Sequence, residues 1–312
     1  MSRKIVVNVS EEDMHTDSLR VDSTEHEEGV PEPVSHDVLA RMAGPLTQDH
    51  PDVIQALREH YIHPPSVLTY NVSEEFRDVV GAKDFSWPWI HQYIRKLFSD
   101  YHDGFFVEAG ALDGVYLSNT LWLEMNLGWT GLLVEPDPRS YSVLLTKHRK
   151  VWSSNTCLSS EPYPRETVLV LLTAIEKSIL EVGYWWAYRG NTHELRNDHP
   201  YINQTEARTE KLYVAVQCFP LLSYLLALNV TTVDLLTLDI QGTEQLVLHS
   251  LLDSGSVSIR VIVVENELGR MDQSYMASRG YELVASSLDQ VYILKGDPLL
   301  TRLVHITNTT HT

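Results

Sequence analysis

The stretch FFVEAGALDGVYLSNTLWLE, residues 105–124, decides the fold of this chain. It begins with apolar residues that lead to an acid, Glu108, continues through small residues with Gly110 and Gly114, and then becomes amphipathic. This order predicts a buried strand, a tight loop and a helix. In an open α/β sheet, the loop between the first strand and the first helix is a usual ligand position. The stretch therefore predicts both an α/β fold and the place of its site.

Three kinds of site compete for this loop. A P-loop is excluded, because no Gly-Lys-Ser/Thr follows the glycines. A dinucleotide fingerprint needs a second glycine where Leu112 stands, so the backbone could not approach a pyrophosphate closely. An S-adenosylmethionine site needs only close backbone approach and a carboxylate near the charged amino acid end of the ligand. We therefore favour an S-adenosylmethionine site that uses Glu108, Gly110 and Gly114.

Two further acids end predicted strands. In LLVEPD, Glu135 ends an apolar strand, twenty-one residues after Gly114. A carboxylate there accepts both ribose hydroxyls of a nucleoside, although a solvated strand-end acid would give the same pattern. In LTLDIQG, Asp239 faces the same crevice if its strand is central, or else it is a buried acid that caps the next helix. Three acids that end three predicted strands favour the ligand interpretation.

The chain after residue 100 alternates apolar strands with amphipathic helices. This pattern predicts an α/β, Rossmann-like fold, in which a mostly parallel sheet is covered by helices on both faces. The first helix is predicted to place Leu117, Leu121 and Met125 on one face, and SNTCLSS predicts a short strand. YELVAS and DQVYILK, joined near Ser287, predict an antiparallel hairpin at one edge of the sheet.

Four parts of the chain follow from this pattern. Residues 1–45 predict a disordered acidic tail, since the first forty residues hold ten Asp/Glu against three Lys/Arg. Residues 46–99 predict a helical lead-in, 100–297 the sheet domain, and 298–312 a C-terminal tail. A long stretch from Gly183 interrupts the strand–helix rhythm and predicts either a substrate or cargo surface or a packed flap. Its aromatic residues include Trp185, Trp186 and Tyr188.

Composition excludes several functions. The formal net charge of −18 argues against nucleic acid or an anionic membrane surface as a main partner, because phosphate binding needs a basic footprint. No apolar run is long enough to span a bilayer. The 14 histidines show no spacing that predicts a zinc site, so no metal is expected. Without a Gly-x-Ser-x-Gly elbow, an α/β-hydrolase is not expected either.

The sequence points to two different compartments. Its N-terminus lacks the apolar core of a signal peptide, which favours the cytoplasm. Five Asn-x-Ser/Thr glycosylation acceptors favour the secretory pathway instead. These acceptors are Asn8, Asn71, Asn203, Asn229 and Asn308. A targeting segment outside this chain would reconcile the two interpretations.

Four stretches, FFVEAGALDG, SNTLWLE, GWTGLLVEPDP and VDLLTLDIQGTEQLVL, resemble the FkbM-type methyltransferase domain. Within that family they are similar to the arthropod Star-like proteins, and the likeness covers residues 46–297. The resemblance implies a class I S-adenosylmethionine methyltransferase fold. It also implies a seven-stranded sheet whose third strand is the short one around Cys157.

The resemblance implies roles for the matching positions. Glu135 would be the ribose acid, and Asp239 and Glu244 are the candidates for catalysis. The residues implied to bind S-adenosylmethionine are Glu108, Gly110, Ala111, Asp113, Gly114, Glu135, Asp239 and Gly242. Two positions depart from the family pattern: Leu112 replaces an asparagine common in the bacterial enzymes, and Gln241 replaces an acid. Because an amide removes a possible base, Gln241→Glu is expected to raise turnover if the exchange has disabled catalysis.

Two functions follow from the resemblance. As an enzyme, the chain would transfer the methyl group of S-adenosylmethionine to a hydroxyl or carboxyl oxygen of a small molecule or glycan. As a Star-like protein, it would keep a vestigial methyltransferase fold and help to move growth-factor precursors from the endoplasmic reticulum to the Golgi and the endosome. Its partner would then be secretory cargo, on the lumenal side.

The two cysteines, Cys157 and Cys218, are either buried thiols or one disulfide. The fold implied by the resemblance brings their segments to the same side of the fourth strand, so we expect the disulfide. It would close a loop of about sixty residues, a constraint that the chain-entropy model values at roughly 4 kcal/mol. The glycosylation acceptors expected within the folded part of the chain are Asn71, Asn203 and Asn229.

Overall fold

The computed structural model describes residues 46–72, 85–174, 193–195, 209–266 and 269–307. Its strands are β1 (Phe105–Ala109), β2 (Thr130–Val134), β3 (Trp152–Ser154), β4 (Cys157–Leu158), β5 (Arg165–Ala174), β6 (His193–Glu194), β7 (Thr209–Phe219), β8 (Thr232–Leu238), β9 (Ser258–Glu265), β10 (Tyr281–Ser286) and β11 (Asp289–Leu294). Its α-helices are α1 (Pro51–Ala56), α2 (Pro88–Phe98), α3 (Leu121–Leu127), α4 (Pro138–Thr146), α5 (Leu221–Ala227), α6 (Glu244–Ser254), α7 (Gln273–Ser278) and α8 (Leu299–Thr307).

The central sheet has seven strands in the order β10–β11–β9–β8–β1–β2–β3. β1 lies in the middle and pairs in parallel with β2 on one side and with β8 on the other. β11 runs antiparallel to both β9 and β10, so the predicted hairpin lies at one edge of the sheet. The predicted α/β fold with a seven-stranded sheet is confirmed.

Alternate residues of the central strands pack into two cores, one on each face of the sheet. From β1, Val107 joins the core that contains residues of α5 and α6, whereas Phe106 joins the core that contains residues of α2 and α3. Burial on both faces explains why these strands read as nearly continuous apolar runs.

The third strand of the sheet differs from the prediction. It is β3, which pairs with β2, and not the segment around Cys157. The chain turns after Ser154, where the Asn155 side chain donates a hydrogen bond of 2.8 Å to the carbonyl oxygen of Glu135. Cys157 then belongs to β4 in a second sheet, with the order β4–β7–β5–β6.

The helix after β1 starts later than predicted. α3 begins at Leu121, whose backbone N–H donates to Ser118 Oγ at 3.1 Å. Leu117 lies outside the helix, with a left-handed φ of 55°. Leu127 completes the buried face, whereas Met125, which was expected on that face, is exposed.

The flanks of the sheet domain are helical. The predicted helical lead-in forms α1, which continues as the π-helical turn Leu57–Tyr61, and α2. The chain after residue 297 was predicted to be a tail, but it forms α8, whose Leu299 is buried in the core beside α2. Among the described residues, no helix has the length and apolar character needed to cross a membrane.

Candidate functional site

A cavity lies at the carboxyl ends of β1, β2 and β8, with about 690 Å³ of empty space that includes its opening to solvent. The residues that line it from the central sheet are Gly110, Leu112, Val134, Glu135, Pro136, Asp239, Ile240, Gln241 and Thr243. The residues that line it from the second sheet are Cys157, Leu158, Thr167, Leu169, Glu194 and Cys218. Its position is the one at which open α/β sheets bind ligands.

Gly110 brings the loop after β1 against the loop after β8. Its φ is +84°, and a Cβ at this position would overlap the carbonyl oxygen of Asp239. The backbone N–H of Gly110 donates to the carbonyl oxygen of Val134 at 3.0 Å, so the loop is also tied to β2. A glycine is needed here because no other residue tolerates both the left-handed backbone and the close approach.

Glu135 lies on the cavity wall, and its carboxylate also orders the loop after β1. Its Oε2 accepts a 2.7 Å hydrogen bond from the backbone N–H of Leu112, and its Oε1 accepts one of 2.8 Å from Asp137. The bond to Leu112 helps to hold that residue at a φ of 47°, a conformation that leucine adopts rarely and asparagine more readily. Contact between Glu135 and a ribose stays a prediction.

Glu108 is buried beneath the loop, where its carboxylate holds the turn before α3. Oε2 accepts hydrogen bonds from Ser118 Oγ at 2.8 Å and Thr120 Oγ1 at 2.5 Å, and Oε1 accepts from the backbone N–H of Asn119 at 2.7 Å. Burial raises the pKa of Glu108, while Arg149 and these hydrogen bonds oppose the rise. The acid that was predicted near the cofactor thus holds the segment between β1 and α3.

Arg149 is the cation of this buried network. Its Nε lies 2.5 Å from Glu124 Oε2, and both side chains are almost completely buried. Its Nη2 donates to Thr120 Oγ1 at 3.1 Å, and its Nη1 donates to the carbonyl oxygen of Gly114. A single guanidinium therefore links α3, the loop after β1 and, through Thr120, the buried Glu108.

Two further residues predicted to bind the cofactor, Ala111 and Asp113, pack in the core or accept hydrogen bonds from the backbone. Ala111 is buried in the core, and Asp113 Oδ1 accepts hydrogen bonds from the backbone N–H groups of Val115 and Tyr116 at 2.9 and 2.7 Å. Burial raises the pKa of Asp113, and these hydrogen bonds oppose that rise. Contact of Ala111, Asp113 and Gly114 with a cofactor stays a prediction.

The two candidates for catalysis occupy different environments. Asp239 lies on the cavity wall and is exposed. Glu244 is buried, and its carboxylate accepts hydrogen bonds from the backbone N–H groups of Ile240 and Gly242 at 2.9 to 3.0 Å. Burial raises the pKa of Glu244 to about 7, and the negative charge of Asp239 adds to the rise. Glu244 and Gly242 thus form the loop that presents Asp239 to the cavity.

The pKa of Glu244 predicts a stability that depends on pH. Because this pKa is about 7 in the fold and 4.5 in a model compound, the folded state binds more protons than the unfolded chain between these values. The stability contributed by this group is full below pH 4.5 and is lost as the pH rises through 7. We expect the free energy of unfolding to fall by about 2 kcal/mol between pH 5.5 and pH 8 because of Glu244.

Urea unfolding at several pH values measures this effect. Glu244→Gln should flatten the profile, and Asp289→Asn should do so in part, because burial raises the pKa of Asp289 to about 7 as well. Glu282→Gln, which changes an exposed acid of β10, controls for the loss of one surface charge. A wild-type profile that is flat, or that rises towards pH 8, would contradict the assignment.

Several residues of the site were not predicted individually. Ser118, Thr120 and Glu124 belong to SNTLWLE, a stretch that carried the family resemblance but to which no role was assigned. Arg149 had no local signal, because it stands in the polar run KHRK and meets Glu124 only in the folded chain. A buried ion pair between residues 25 positions apart is visible only when both elements are placed.

The structure joins Cys157 and Cys218 by a disulfide, with the two Cα atoms 4.3 Å apart. The two cysteines are direct partners in the parallel pairing of β4 with β7. Both line the same cavity as Glu135 and Asp239. The bond therefore ties together the wall that the second sheet contributes to the site.

Of the predicted glycosylation acceptors, two lie among the described residues, and both are exposed. Asn71 Nδ2 donates to the carbonyl oxygen of Thr146 at 2.9 Å, and Asn229 Oδ1 accepts from Arg58 Nη2 at 3.2 Å. Within the part of the chain that the structure describes, no group of three His, Cys, Asp or Glu could hold a metal ion. The other predicted acceptors and the aromatic residues of the insertion lie outside it: Asn8, Asn203, Asn308, Trp185, Trp186 and Tyr188.

Comparison with protein-family models matches residues 108–283 to a methyltransferase FkbM domain. The match covers more than half of the 312 residues. It begins at Glu108 and contains the cavity residues Gly110, Glu135 and Asp239. No curated protein and no solved structure matches this chain.

Proposed function

We propose, from the premise that this chain belongs to the FkbM methyltransferase domain family, that it binds S-adenosylmethionine in the cavity and methylates an oxygen of a small molecule or glycan. The observation that carries this proposal is the cavity itself. It lies at the carboxyl ends of the central strands, next to a glycine that permits close approach and between two carboxylates, Glu135 and Asp239. Carboxylates suit a cationic nucleoside with free hydroxyls and disfavour a pyrophosphate.

The residues of this chain would divide the work as follows. Bound S-adenosylmethionine supplies an electrophilic methyl group on a positively charged sulfur. Glu135 would hold the ribose hydroxyls, and Gly110 would leave room for the ligand beside the loop. Asp239 is the cavity carboxylate placed to accept the proton that an acceptor hydroxyl loses. The apolar side chains Leu112, Pro136, Leu158 and Leu169 would exclude water, so that positioning of the acceptor contributes most to the rate.

Isothermal titration with S-adenosylmethionine tests the proposal. We expect the wild type to bind, and Glu135→Ala to bind roughly 10- to 100-fold more weakly, because the loss of even one charge-assisted hydrogen bond costs about 1.5–3 kcal/mol. Glu161→Ala, at an exposed acid outside the cavity, should bind like the wild type. Since Glu135 also orders the loop, Glu135→Gln and the Tm of each variant separate loss of binding from unfolding.

Two results would count against this site. A wild type that does not bind at millimolar ligand contradicts the methyltransferase activity. An unchanged affinity in a folded Glu135→Ala variant removes Glu135 from the cofactor site.

A second candidate function is transport of growth-factor precursors through the secretory pathway, as in Star-like proteins, with a methyltransferase fold that no longer binds its cofactor. The disulfide between Cys157 and Cys218 supports it, because disulfides persist in the lumen and are rare in the cytoplasm. The exposed acceptors Asn71 and Asn229 are compatible with a lumenal location. Under this proposal the partner is secretory cargo, and the titration with S-adenosylmethionine shows no binding. A reduced, unglycosylated protein in the cytoplasm would contradict it.

A further inference from the structure

The side chain of Gln241 joins two acids at the ends of neighbouring strands. Gln241 lies in the loop after β8 and lines the cavity. Its Nε2 donates a hydrogen bond of 2.7 Å to Asp239 Oδ1 and a second of 2.9 Å to Glu265 Oε2. Glu265 is the last residue of β9, so one amide group connects the carboxyl ends of β8 and β9.

The backbone of Gln241 is also unusual. Its φ is 57°, in the left-handed region that residues with a Cβ seldom adopt, and the next residue, Gly242, has a φ of 105°. Glu244 holds this turn by accepting hydrogen bonds from the backbone N–H groups of Ile240 and Gly242. The turn directs the amide of Gln241 between Asp239 and Glu265, and those two hydrogen bonds help to offset the backbone strain.

Within the part of the chain that the structure describes, acids on four different elements lie near this amide or its acceptors. Asp239 follows β8, and Glu265 ends β9. Asp289 begins β11 directly opposite Glu265, and Glu244 begins α6. An amide NH₂ can satisfy two carboxylates at once, since it has two donors and no charge. A carboxylate in the same place would bring a further negative charge and no hydrogen at neutral pH.

We propose that Gln241 is a positioning residue of the cofactor site, whose uncharged amide joins Asp239 to Glu265 and so holds Asp239 on the cavity wall. This inference rests on the proposed binding of S-adenosylmethionine in the same cavity. It reverses the expectation drawn from the family pattern. Gln241→Glu puts a carboxylate within hydrogen-bonding distance of both Asp239 and Glu265, so the variant should weaken the site and not restore its activity.

Two substitutions of similar shape separate the role of the donor from that of the charge. Gln241→Met removes both hydrogen bonds without adding a charge, and Gln241→Glu replaces the donor by an acid. By titration with S-adenosylmethionine at pH 8, we expect a 3- to 10-fold loss of affinity for Gln241→Met and a larger loss for Gln241→Glu. At pH 5.5 the Gln241→Glu variant should recover most of its affinity, because a protonated carboxyl group again donates a hydrogen bond.

A double variant tests the bridge directly. In Gln241→Glu/Glu265→Gln the amide and the carboxylate exchange places, so the net charge equals that of the wild type and the amide at position 265 donates to the carboxylate at position 241, while Asp239 still faces a carboxylate. We expect this variant to regain part of the affinity and Tm at pH 8 relative to Gln241→Glu. Gln55→Glu makes the same exchange outside the cavity, where the Gln55 amide donates to the exposed Glu59, and it should leave the affinity unchanged.

The outcomes distinguish this inference from the proposed function. If the wild type binds S-adenosylmethionine but Gln241→Glu binds equally well at both pH values, Gln241 does not position the site. If Gln241→Glu binds more weakly but neither low pH nor the exchanged pair restores it, the bridge is not the cause, and the inference also fails. If the wild type does not bind, the proposed function fails and the cofactor role of Gln241 with it. The Tm of the exchanged pair then still reports whether the amide joins the two strands.

Discussion

Arg149→Met is expected to lower the free energy of unfolding by about 3–5 kcal/mol, the usual cost of removing one partner from a buried ion pair. The substitution leaves Glu124 without its 2.5 Å partner, and it removes the positive charge that opposes the rise in the pKa of Glu108. Glu108 and Glu124 would then be buried without the positive charge of Arg149. Chemical unfolding measures the loss, and the Tm should fall by roughly 10 °C or more.

Three further variants make this prediction specific. Arg139→Met is the matched control, because Arg139 is exposed on α4, and it should change stability by no more than about 0.5 kcal/mol. Arg149→Lys keeps the positive charge but loses the planar guanidinium group with its several N–H donors. Its loss of unfolding free energy should lie between those of Arg139→Met and Arg149→Met. The double variant Arg149→Met/Glu124→Leu removes both members of the pair and should recover part of the loss. A folded Arg149→Met protein as stable as Arg139→Met would show that the network does not support the fold.

Replacing both cysteines by alanine is expected to lower the free energy of unfolding by about 4 kcal/mol. The disulfide closes a loop with a sequence separation of 61 residues and anchors β4, a strand of only two residues, to β7. Because Cys157 and Cys218 also line the cavity, the affinity for S-adenosylmethionine should fall together with stability. Urea unfolding and titration of the same sample measure both effects.

Reduction of the wild type provides the control for this prediction. Dithiothreitol should reproduce the stability loss of the double alanine variant and should have no further effect on that variant. Peptide mapping without reduction, on protein secreted from eukaryotic cells, should recover Cys157 linked to Cys218, with glycans on the exposed acceptors. Free thiols and bare asparagines in that sample would contradict both the bond and the lumenal location.

The succession of strands and helices was predictable from the sequence, because it depends on local periodicity. The apolar run that ends at Glu108 and the one that ends at Glu135 form adjacent parallel strands, and both acids follow from where those runs stop. The closing hairpin was predictable for the same reason, since two alternating segments are separated by a short polar linker near Ser287. Gly110 was predictable as well, since an isolated glycine after a buried strand indicates a loop under steric constraint.

The exact ends of elements were not predictable, because they depend on hydrogen bonds to residues elsewhere in the chain. The predicted helix start near Leu117 was wrong. The hydroxyl groups of Ser118 and Thr120 donate hydrogen bonds to Glu108, and these bonds keep the turn before Leu121 out of the helix. The predicted third strand at Cys157 was wrong, because the chain turns at Asn155 and adds Cys157 to the second sheet.

The sequence by itself determined that this chain folds as an α/β sheet, and it indicated the end of the first strand, where the cavity lies. Only the tertiary structure decided which of the acids face the cavity. Glu135 and Asp239 line it, and Glu135 also accepts two backbone N–H groups, whereas Glu108 and Glu244 lie outside the lining and accept from backbone N–H groups and hydroxyls. The reason is physical: a sequence pattern records whether a residue is buried, but a buried carboxylate is directed by its donors. Those donors include Arg149 for Glu124 and Gln241 for Glu265, which lie 25 and 24 positions away along the chain.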